Sequence, residues 1–364
     1  MRRSNRPTLI DVAARAGVSK STVSRVLNND PEVGLEAHRK VTEAIAAVGY
    51  RRNEVARSLR VHATGTIGLI TSDLRNEVFA AIAQGVDSIL SEVNRTLLVT
   101  ASRDSPASEE RALQEFLQRG VDGLIISLID DRPRHVPEQL QHAGVPLVLL
   151  DRDGPGIVAD RVLTDHERSV SEAVRDLMAH GHTRISLIAP PAQIRPGRVV
   201  RKAFARTLGS DDLVWSGPLT ATFGSAAMAE LLSLRPTPTA VVVVGTQVLV
   251  GVLSTLAERQ LRVPEDMSVV AYDDSAAARF HTPPISALVR DTERIGRLAA
   301  ELIIDRIETN RKEPKLVVVP AVYEPRGTVV APNAGRLADA ETVHRPGGDQ
   351  IPVDRDAKTV PVRS

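Results

Sequence analysis

The sequence contains no cysteine and only nine aromatic residues in 364 positions. The lack of cysteine excludes disulfides, thiolate zinc sites, iron–sulfur clusters and cysteine nucleophiles. No apolar run approaches the ~18–20 residues that a membrane helix needs. The basic segment Met1–Pro7 is not followed by the uninterrupted apolar stretch of a secretory signal. The sequence therefore predicts a cytoplasmic protein with no membrane role.

Charge is unevenly distributed along the chain, although the formal net charge is only +1. Residues 1–62 carry twelve Lys and Arg against six Asp and Glu, whereas the remaining 302 residues carry 34 against 39. A basic segment suits a polyanionic partner such as DNA, because each phosphate contact releases counterions. The abundance of arginine is weak support by itself, since 40 Arg against 6 Lys is what a GC-rich gene would encode. The inference of a polyanionic partner therefore depends on the difference in charge between residues 1–62 and the rest of the chain.

The first 50 residues have the pattern of three short helices. Thr8 can cap the first helix, with Asp11 three residues later supporting its first turn. Gly17 interrupts this helix, Ser19 can cap the second, and a third spans roughly 35–48 before another glycine. A helix, a tight glycine turn and a second helix are typical of the helix-turn-helix. A generic three-helix bundle is the alternative.

From Thr66 onward, short apolar runs alternate with amphipathic helical patterns. This alternation predicts parallel strands that are covered by helices on both faces, and hence an α/β body. The predicted strands are 66–70, 96–100, 123–128, 146–150, 184–189, 240–244 and 268–272. The predicted helices lie near 77–92, 107–119, 168–180, 197–208, 223–234, 247–260 and 292–308.

The body, residues 65–331, is too long for one doubly wound sheet, so we expect two lobes. Their expected bounds are 65–164 with 291–320 for the first lobe, and 165–290 with 321–331 for the second. Ligands of such sheets bind at the carboxyl ends of the strands, which places a site in the cleft between the lobes. The tail, 332–364, is poor in large apolar residues and rich in Pro, Gly and charge, which predicts disorder. It has no leucine heptads for a tetramerising coiled coil.

Several motifs occur in a fixed order along the chain. In the N-terminal part they are Thr8–Ala13, Ala16–Ser19, Ser21–Asn28, Val48–Tyr50, Asn53 and Ala56–Arg60. In the body they are Gly181–Ile185, Val263–Asp274 and Pro283–Ile285. In this order, they closely resemble the lactose-repressor (LacI/GalR) family of regulators over about residues 7–331.

The resemblance implies a three-helix helix-turn-helix DNA-binding head at 1–50, a hinge helix or linker at 51–64, and a two-lobed body like the periplasmic sugar-binding proteins. It also implies a homodimer that places two heads on a pseudo-palindromic operator of double-stranded DNA. The expected function is that of a transcriptional regulator, most simply a repressor, whose DNA affinity is modulated by a small-molecule effector such as a carbohydrate.

By resemblance, the second helix lies in the major groove and presents Lys20, Ser21 and Arg25 at base-reading positions. Arg and Lys can donate to guanine O6 and N7, and a bidentate pair contributes ~1–3 kcal/mol of discrimination. Contact of Lys20 and Arg25 with phosphate alone is the alternative. The other expected DNA-binding positions are Thr8 and Ser19, chiefly as helix caps, Thr22 and Ser24, as phosphate contacts or local caps, and Asn28 and Tyr50.

Leu59 is the most informative residue of the charged linker, because that linker offers it no core of its own. The resemblance implies that Leu59 wedges into the minor groove at the centre of the operator and bends the DNA. Packing of Leu59 on the body is the alternative. Asn53, Ala56 and Arg57 match the same hinge helix, with Arg57 near the phosphates or the groove. A helix this short is unstable alone, so we expect it to fold only on DNA, against its dimer mate.

For the cleft, the resemblance implies polar side chains on strand ends and loops that hold a sugar or a purine. The candidates are Asp73, Asn76, Phe79, Asp151, Arg198, Arg201, Gln247 and Asp273. Phe79 can stack on a ring of the effector or be a buried helix residue. The carboxylates of Asp151 and Asp273 can accept hydroxyl pairs of a sugar or bond loop amides instead.

Some cleft positions depart from the pattern of the family. Val200 stands where an arginine is usual, with Arg198 and Arg201 as possible substitutes on either side. Gly245–Thr246 stands where Asn-Asp is usual, and His166 replaces a common Asn. The loss of these polar groups implies an unusual effector, or a weak or absent response to one.

Two other functional classes fit the sequence less well. A small-molecule binding or transport protein is opposed by the basic head and by the lack of a signal sequence. An enzyme is opposed by the lack of a Gly-x-Ser-x-Gly elbow, a Walker loop or a His-Glu-x-x-His motif. The sequence predicts no cofactor and no metal site, since His180 and His182 fit a helix end better than a metal pair. A DNA-binding regulator that has lost effector sensing is the main alternative.

Overall fold

The computed structural model describes residues 7–27, 30–50, 63–132 and 137–333, apart from the side chain of Gln141. The chain divides after Thr64 into two compact units, a small N-terminal unit and a large body. The hinge positions predicted within 51–62, and the predicted disorder of the tail from residue 334, lie outside the described residues. No helix in the described part of the chain is long and apolar enough to cross a lipid bilayer.

In its described residues, 7–27, 30–50 and 63–64, the N-terminal unit has three helices, α1 (Leu9–Ala16), α2 (Lys20–Leu27) and α3 (Leu35–Val48). Their buried faces meet in one small core, which is made by Val12, Ala13, Val23, Val26, Val41 and Ala44. These apolar residues recur at helical spacing in the sequence, so each helix presents one apolar stripe to the other two. The predicted three-helix head is confirmed.

The helix ends follow the predicted capping chemistry. The Thr8 hydroxyl accepts the Asp11 N–H at 3.4 Å, and the Asp11 carboxylate accepts the Thr8 N–H at 2.7 Å, which forms a capping box at the start of α1. Gly17 adopts a left-handed conformation with φ 65° that ends α1, and Gly49 does the same after α3 with φ 66°. Gly34 precedes α3 without any side-chain cap, so this helix begins less firmly than α1.

In the part of the body that the structure describes, one sheet of eleven strands forms the framework. They are β1 (Thr66–Thr71), β2 (Thr96–Ala101), β3 (Gly123–Ile126), β4 (Leu147–Leu150), β5 (Asp160–Asp165), β6 (Ile185–Ala189), β7 (Val214–Ser216), β8 (Ala240–Val244), β9 (Ser268–Tyr272), β10 (Ser286–Arg290) and β11 (Leu316–Glu324). Their spatial order is β2-β1-β3-β4-β5-β11-β10-β9-β8-β6-β7. Except for the antiparallel pair β10–β11, neighbouring strands pair in parallel.

Helices cover both faces of this sheet. They are α4 (Glu77–Glu92), α5 (Pro106–Gln118), α6 (Glu138–Gln141), α7 (His166–Ala179), α8 (Arg195–Leu208), α9 (Ala221–Ser233), α10 (Thr246–Glu258), α11 (Ala276–Phe280) and α12 (Thr292–Thr309). We call the part built on β1–β5, with α12, the first lobe, and the part built on β6–β10 the second lobe. Each lobe has two separate apolar cores, one on either side of its strands. The predicted two-lobed α/β architecture is confirmed.

Strand β11 joins the sheets of the two lobes. Its residues 316–320 pair in parallel with β5 of the first lobe, and its residues 321–324 pair antiparallel with β10 of the second. Pro320 occupies the last pair on β5, where the strand passes from one partner to the other. A proline is acceptable there because ladder hydrogen bonding changes sides at this point.

All seven predicted strands are present with small shifts at their ends, whereas β5, β7, β10 and β11 were missing from the prediction. β7 is three residues long, and β5 begins and ends with aspartate, so neither is a continuous apolar run. Asp160 of β5 is nevertheless fully buried, because Arg306 and Arg311 pair with its carboxylate at 3.2 and 2.8 Å. Only the tertiary structure supplies these partners, which is why the pattern alone did not indicate the strand.

The backbones of α4 and α12 approach each other closely at two glycines. A Cβ atom added at Gly85 would overlap the carbonyl oxygen of Glu293, and one added at Gly296 would overlap the carbonyl oxygen of Ile82. Because both obstacles are backbone atoms, a side chain at either position would force the helices apart.

We expect Gly85→Ala to lower the free energy of unfolding by about 1–3 kcal/mol, because the added methyl group overpacks this helix pair. Urea unfolding of the full chain measures the change. Asp87→Ala, at an exposed position of the same helix, is the control and should change stability by less than about 0.5 kcal/mol. Equal stabilities of the Gly85→Ala chain and the original chain would contradict the close approach.

Candidate functional site

Helix α2 has one buried and one exposed face. Val23 and Val26 bury one face in the core of the N-terminal unit. The opposite face is polar and presents Lys20, Ser21 and Arg25 to solvent. An amphipathic helix that follows a tight turn in this way can enter a groove of nucleic acid with its polar face.

Hydroxyl groups organise the first turn of α2. The Ser19 hydroxyl accepts the Thr22 N–H at 3.0 Å, which caps the helix as predicted. It also lies 2.6 Å from the Ser21 hydroxyl and 2.8 Å from the Thr22 hydroxyl. These contacts hold the three hydroxyls in one exposed cluster beside Lys20, and hydroxyls and a lysine are common phosphate and base donors.

Arg25 makes intramolecular ion pairs at the other end of this face. Its guanidinium lies 2.8 Å from the Asp30 carboxylate and 2.9 Å from that of Glu32. Both pairs are accessible to solvent, and exposed pairs of this kind contribute little free energy. Acceptors on guanine or phosphate can therefore replace these carboxylates at small cost.

The other sequence-predicted DNA-binding positions fall into two groups. Thr8 is exposed and caps α1, Ser24 is half-buried on α2, and Tyr50 packs against the core of the unit. The remaining positions lie outside the described residues and stay predictions: Asn28, Asn53, Ala56, Arg57 and Leu59.

In the body, a cavity of about 430 Å³ lies where the strand ends of the two lobes face each other. Its walls come from both lobes, with Asn76, Phe79 and Asp151 on one side and Tyr272 and Asp273 on the other. This is the carboxyl edge of the sheet, where the α/β pattern predicted a ligand site. The volume falls within the ~300–1,000 Å³ typical of small-molecule pockets.

Asp151 is the central charged group of this cavity. It follows β4 in a left-handed conformation, with φ 53°, and its carboxylate accepts the Thr164 N–H at 3.1 Å. The same carboxylate accepts hydrogen bonds from His166 at 2.8 Å, Arg195 at 2.9 Å and Arg290 at 3.2 Å. Donors from both lobes therefore converge on one carboxylate.

Asp273 and Arg290 form the second charged contact of the cavity. Arg290 reaches both carboxylate oxygens of Asp273, with distances of 2.7 Å from Nε and 3.2 Å from Nη2. The guanidinium also lies 5.5 Å from the ring centre of Tyr272, and the Tyr272 hydroxyl lies 2.5 Å from Nδ1 of His166. Asp151, His166, Tyr272, Arg290 and Asp273 thus form one continuous polar chain.

The electrostatics of this polar network favour the ionised forms of Asp151 and Arg290. Burial by itself raises the pKa of Asp151, but His166, Arg290 and Arg195 outweigh that effect and hold the pKa well below its usual range. Burial lowers the pKa of Arg290, but Asp273 outweighs burial and the pKa lies above its usual value. Burial also raises the pKa of Tyr272, so its hydroxyl stays protonated. The cavity therefore holds paired charges and a neutral phenol.

Two arginines of α8 connect the lobes at the same edge. Arg198 lies 2.8 Å from the Asp131 carboxylate and 2.6 Å from that of Asp153, both in first-lobe loops. Arg195 pairs with Asp151 and lies 3.4 Å from Asp153. We call this group the interlobe ion cluster; it consists of Arg195, Arg198, Asp131, Asp151 and Asp153.

The structure brings half of the predicted effector residues to the cavity wall. Asn76, Phe79, Asp151 and Asp273 line it. The other four do not line it: Asp73 pairs with Arg75 at 2.8 Å, Arg198 belongs to the interlobe ion cluster, Arg201 pairs with Asp211 at 2.8 Å, and Gln247 is half-buried on α10.

Sequence reasoning missed several functional candidates. In the sequence, His166 stands out only as a departure from the family pattern, and Tyr272 only as the end of a predicted strand within the motif Val263–Asp274. Arg195 and Arg290 carried no signal, because Arg290 ends a strand that was not predicted and Arg195 is one arginine among many. Strand ends at the carboxyl edge of the sheet are the one general signal that could have selected Tyr272 and Arg290.

The described residues of the two units offer no evident metal site. Within residues 7–27, 30–50, 63–132 and 137–333, no three His, Cys, Asp or Glu side chains are grouped so that they could hold a metal ion.

Val200, which stands in place of the expected arginine, is fully buried in a core of the second lobe and contributes nothing polar to the cleft. Thr246 instead donates its hydroxyl to the Asn76 side chain at 3.3 Å, across the cleft.

Two sequence profiles match the chain. Residues 8–53 match bacterial regulatory proteins of the lacI family, and residues 174–329 match a periplasmic binding protein-like domain. The transcriptional regulator CelR of Thermobifida fusca is 35% identical over 334 residues, which cover 88% of this chain and 97% of CelR. The transcriptional repressor PurR of Erwinia tasmaniensis is 31% identical over 334 residues, covering 89% and 98% of the two chains.

Solved structures agree in fold. The lac repressor dimer bound to operator and the anti-inducer ONPF is 28% identical, has a TM-score of 0.79, and matches 90% of this chain and all of that one. The complex of CelR with cellobiose is 32% identical with a TM-score of 0.67, and the match covers 89% of this chain and all of that one.

Arg198 and Arg201 lie on the same helix, yet they should differ sharply when replaced. Arg198→Met leaves the buried Asp131 carboxylate without its ion-pair partner, so we expect the free energy of unfolding to fall by about 1–3 kcal/mol. Arg201→Met removes only an accessible pair with Asp211, and the loss should stay below about 1 kcal/mol. Urea unfolding of both variants tests this order, and a larger loss for Arg201→Met would refute it.

Glu109 of α5 should make stability depend on pH. Its buried carboxylate accepts the N–H of Ile129, a cavity residue, at 2.9 Å, and burial raises its pKa to about 7. A carboxyl whose pKa is higher in the folded chain binds more protons there, so stability falls as pH rises from about 4.5 to 7. The slope from this group reaches at most ~1.4 kcal/mol per pH unit.

Glu109→Gln keeps the acceptor for Ile129 and removes the ionisation. We therefore expect the difference in unfolding free energy between this variant and the original chain to grow in favour of the variant from pH 5 to pH 8. Urea titrations at both pH values measure it. Glu115→Gln, at an exposed position of the same helix, should follow the original chain. A Glu109→Gln curve parallel to that of the original chain would disprove the assignment.

Proposed function

The chain belongs to the lacI family of DNA-binding transcriptional regulators, and from that premise we propose that it binds an operator as a homodimer and that a small molecule in the body's cavity modulates this binding. In this proposal, residues 1–50 bind DNA, 51–64 form the hinge, and 65–331 carry the effector site and the dimer contacts. Repression is the simplest outcome of operator binding, and an operator-binding role places the protein in the cytoplasm.

The observation that carries the DNA-binding proposal is the exposed polar face of α2. Its first turn presents Lys20 and Ser21, and Arg25 follows on the same face. We assign base contacts to these three side chains, and phosphate contacts or caps to Thr8, Ser19, Thr22 and Ser24. The net basic charge of residues 1–62 supports the same assignment. The lac repressor dimer bound to operator supports binding as a dimer.

We assign the effector site to the cavity between the lobes. Support comes from its position at the carboxyl edge of the sheet and from the polar chain that crosses it. The similar lac repressor and CelR structures were solved with ONPF and with cellobiose. We propose binding rather than catalysis, because the polar groups around Asp151 and Asp273 all engage one another and present no activated nucleophile.

A second candidate function is favoured by the interlobe ion cluster. Arg195 and Arg198 already connect the lobes through side chains of the protein itself. A regulator closed in this way could bind its operator at constant affinity, without an effector. The experiment below separates the two candidates.

The test is selection of bound sequences from random double-stranded DNA, with the full chain and with Arg25→Ala. We expect the full chain to recover a palindrome, as two heads of a dimer require. Arg25→Ala should recover the same palindrome with a relaxed base at one position of each half-site, because a bidentate contact with guanine contributes ~1–3 kcal/mol. Arg39→Ala, which removes an exposed ion pair with Glu43 on α3, is the matched control.

The outcomes separate the roles. A uniform loss of affinity across all sequences would make Arg25 a phosphate contact, and recovery without a palindrome would overturn the dimeric operator model. The selection is then repeated with a panel of small neutral, charged and sugar compounds. A compound that changes the recovery of the palindrome supports effector regulation, whereas a recovery that no compound changes supports the second candidate.

A further inference from the structure

Arg152 is a buried arginine on the wall of the cavity. It is 6% exposed and follows β4 at the carboxyl edge of the sheet. Its Nε donates to the Leu128 carbonyl, and its Nη1 donates to the Asp151 carbonyl at 3.0 Å. Among the described residues, no carboxylate lies within ion-pair distance of the guanidinium, and Nη2 makes no hydrogen bond. Part of its donor capacity is therefore left for a ligand.

Two other arginines at this edge of the sheet have a carboxylate partner. Arg290 lies 2.7 Å from Asp273, and Arg198 lies 2.8 Å from Asp131. Burial lowers the pKa of both, but their partners outweigh burial and raise it above the usual value. Burial also lowers the pKa of Arg152, and there the surrounding carboxylates do not offset it. An anionic group of a ligand would supply the missing counter-charge.

Two serine hydroxyls stand beside Arg152 at the strand ends. Ser72 follows β1 and Ser127 follows β3, and the order β1-β3-β4 places both strands next to the one that leads to Arg152. Both serines line the cavity, and neither hydroxyl has a partner in the described part of the chain. Guanidinium and hydroxyl donors are groups that bind carboxylate and phosphate oxygens. The ends of three neighbouring strands therefore offer donors suited to one acidic group.

Asp104 adds an acceptor to the first-lobe side of the wall. It is exposed, lines the cavity and has no ion-pair or hydrogen-bond partner within the described ranges. Its carboxylate can accept hydrogen bonds from hydroxyl groups, but it repels an anion that is placed directly against it. The acidic group of a ligand therefore belongs at Arg152, and a hydroxyl belongs at Asp104.

We propose that the effector is a hydroxylated organic anion whose carboxylate or phosphate group pairs with Arg152. The cavity of about 430 Å³ has room for a sugar-sized body besides this group. The side-chain amides of Asn76 and Gln193, on the same wall, can bind further hydroxyls. This inference rests on the proposed effector-regulated function and specifies the chemical class of its ligand.

The first experiment compares ligands that share a ring and differ in the charge of one substituent. The probes are glucose, glucuronate, glucose 6-phosphate and 6-amino-6-deoxyglucose, together with the corresponding galactose series. Isothermal titration calorimetry of the full chain at pH 7 measures each Kd, and the shift in melting temperature provides an independent reading. At least one acid should bind at least tenfold more tightly than its neutral parent and its amine. Whether the carboxylate or the phosphate binds identifies the acidic group.

Replacement of Arg152 tests whether this side chain carries the preference. Arg152→Met should raise the Kd of the preferred acid at least tenfold and reduce its advantage over the neutral sugar to less than twofold. Arg152→Lys keeps the positive charge, so it should recover part of the advantage. Arg168→Met, which removes an exposed pair with Glu172 on α7, is the matched control and should leave the Kd unchanged.

Ser127→Ala provides a second reading that keeps the guanidinium in place. It removes one hydroxyl donor beside Arg152, so we expect the Kd of the preferred acid to rise at least threefold and that of the neutral sugar to change less than twofold. If Arg152→Met does not fold, this variant and Arg152→Lys carry the test. Unchanged binding of the acid to both would then overturn the inference.

The remaining outcomes are equally decisive. Binding of acids and neutral parents with equal Kd, tighter binding of an amine, or the failure of every probe to bind would overturn the inference. A folded Arg152→Met chain that keeps the advantage of the acid would do so too. DNA selection separates this from a failure of the proposed function. A compound without an acidic group that changes recovery of the palindrome would keep effector regulation but remove this ligand class, whereas a recovery that no compound changes would remove the effector itself.

Discussion

The rest of the body depends on how the buried carboxylate of Asp151 is compensated. An ionised carboxylate is costly to bury unless several donors reach it. Thr164 supplies a backbone N–H from the first lobe, and His166 and Arg195 supply side-chain donors from α7 and α8 of the second. The desolvation cost is therefore offset only when the lobes lie against each other. The contacts between the lobes at this edge of the sheet follow from this requirement.

Local structure could be predicted largely from the sequence because its determinants are local. Thr8, Ser19 and the glycines after α1 and α3 act through hydrogen bonds and φ angles within a few residues. Uninterrupted apolar strands such as β8 can likewise be predicted from their own residues. β5 cannot, because the charge of its Asp160 is neutralised by residues far along the chain. β11 cannot, because its Pro320 is tolerated only where the strand changes its partner. Such strands depend on tertiary contacts that periodicity cannot indicate.

In the candidate site, too, some residues could be predicted from the sequence and others depend on tertiary contacts. Asp151 and Asp273 could be predicted because each follows a strand at the carboxyl edge of the sheet, where parallel topology alone brings side chains together. Arg198 and Arg201 could not be told apart, since both flank the buried Val200 on one helix. One meets a buried aspartate of the other lobe and the other meets an aspartate at the surface. Which of the two arginines reaches the other lobe depends on the loop that each one faces. The spacing of residues within the helix does not show this.

This charge compensation also limits what an effector can do. A ligand shifts a conformational equilibrium only by its differential affinity for the two states. In a cleft whose polar side chains had no partners of their own, a ligand would supply the contacts between the lobes. Here Arg195 and Arg198 already supply contacts of this kind, so a ligand adds fewer of them. The coupling to DNA binding should then lie near the lower end of the ~1–3 kcal/mol usual for allosteric proteins.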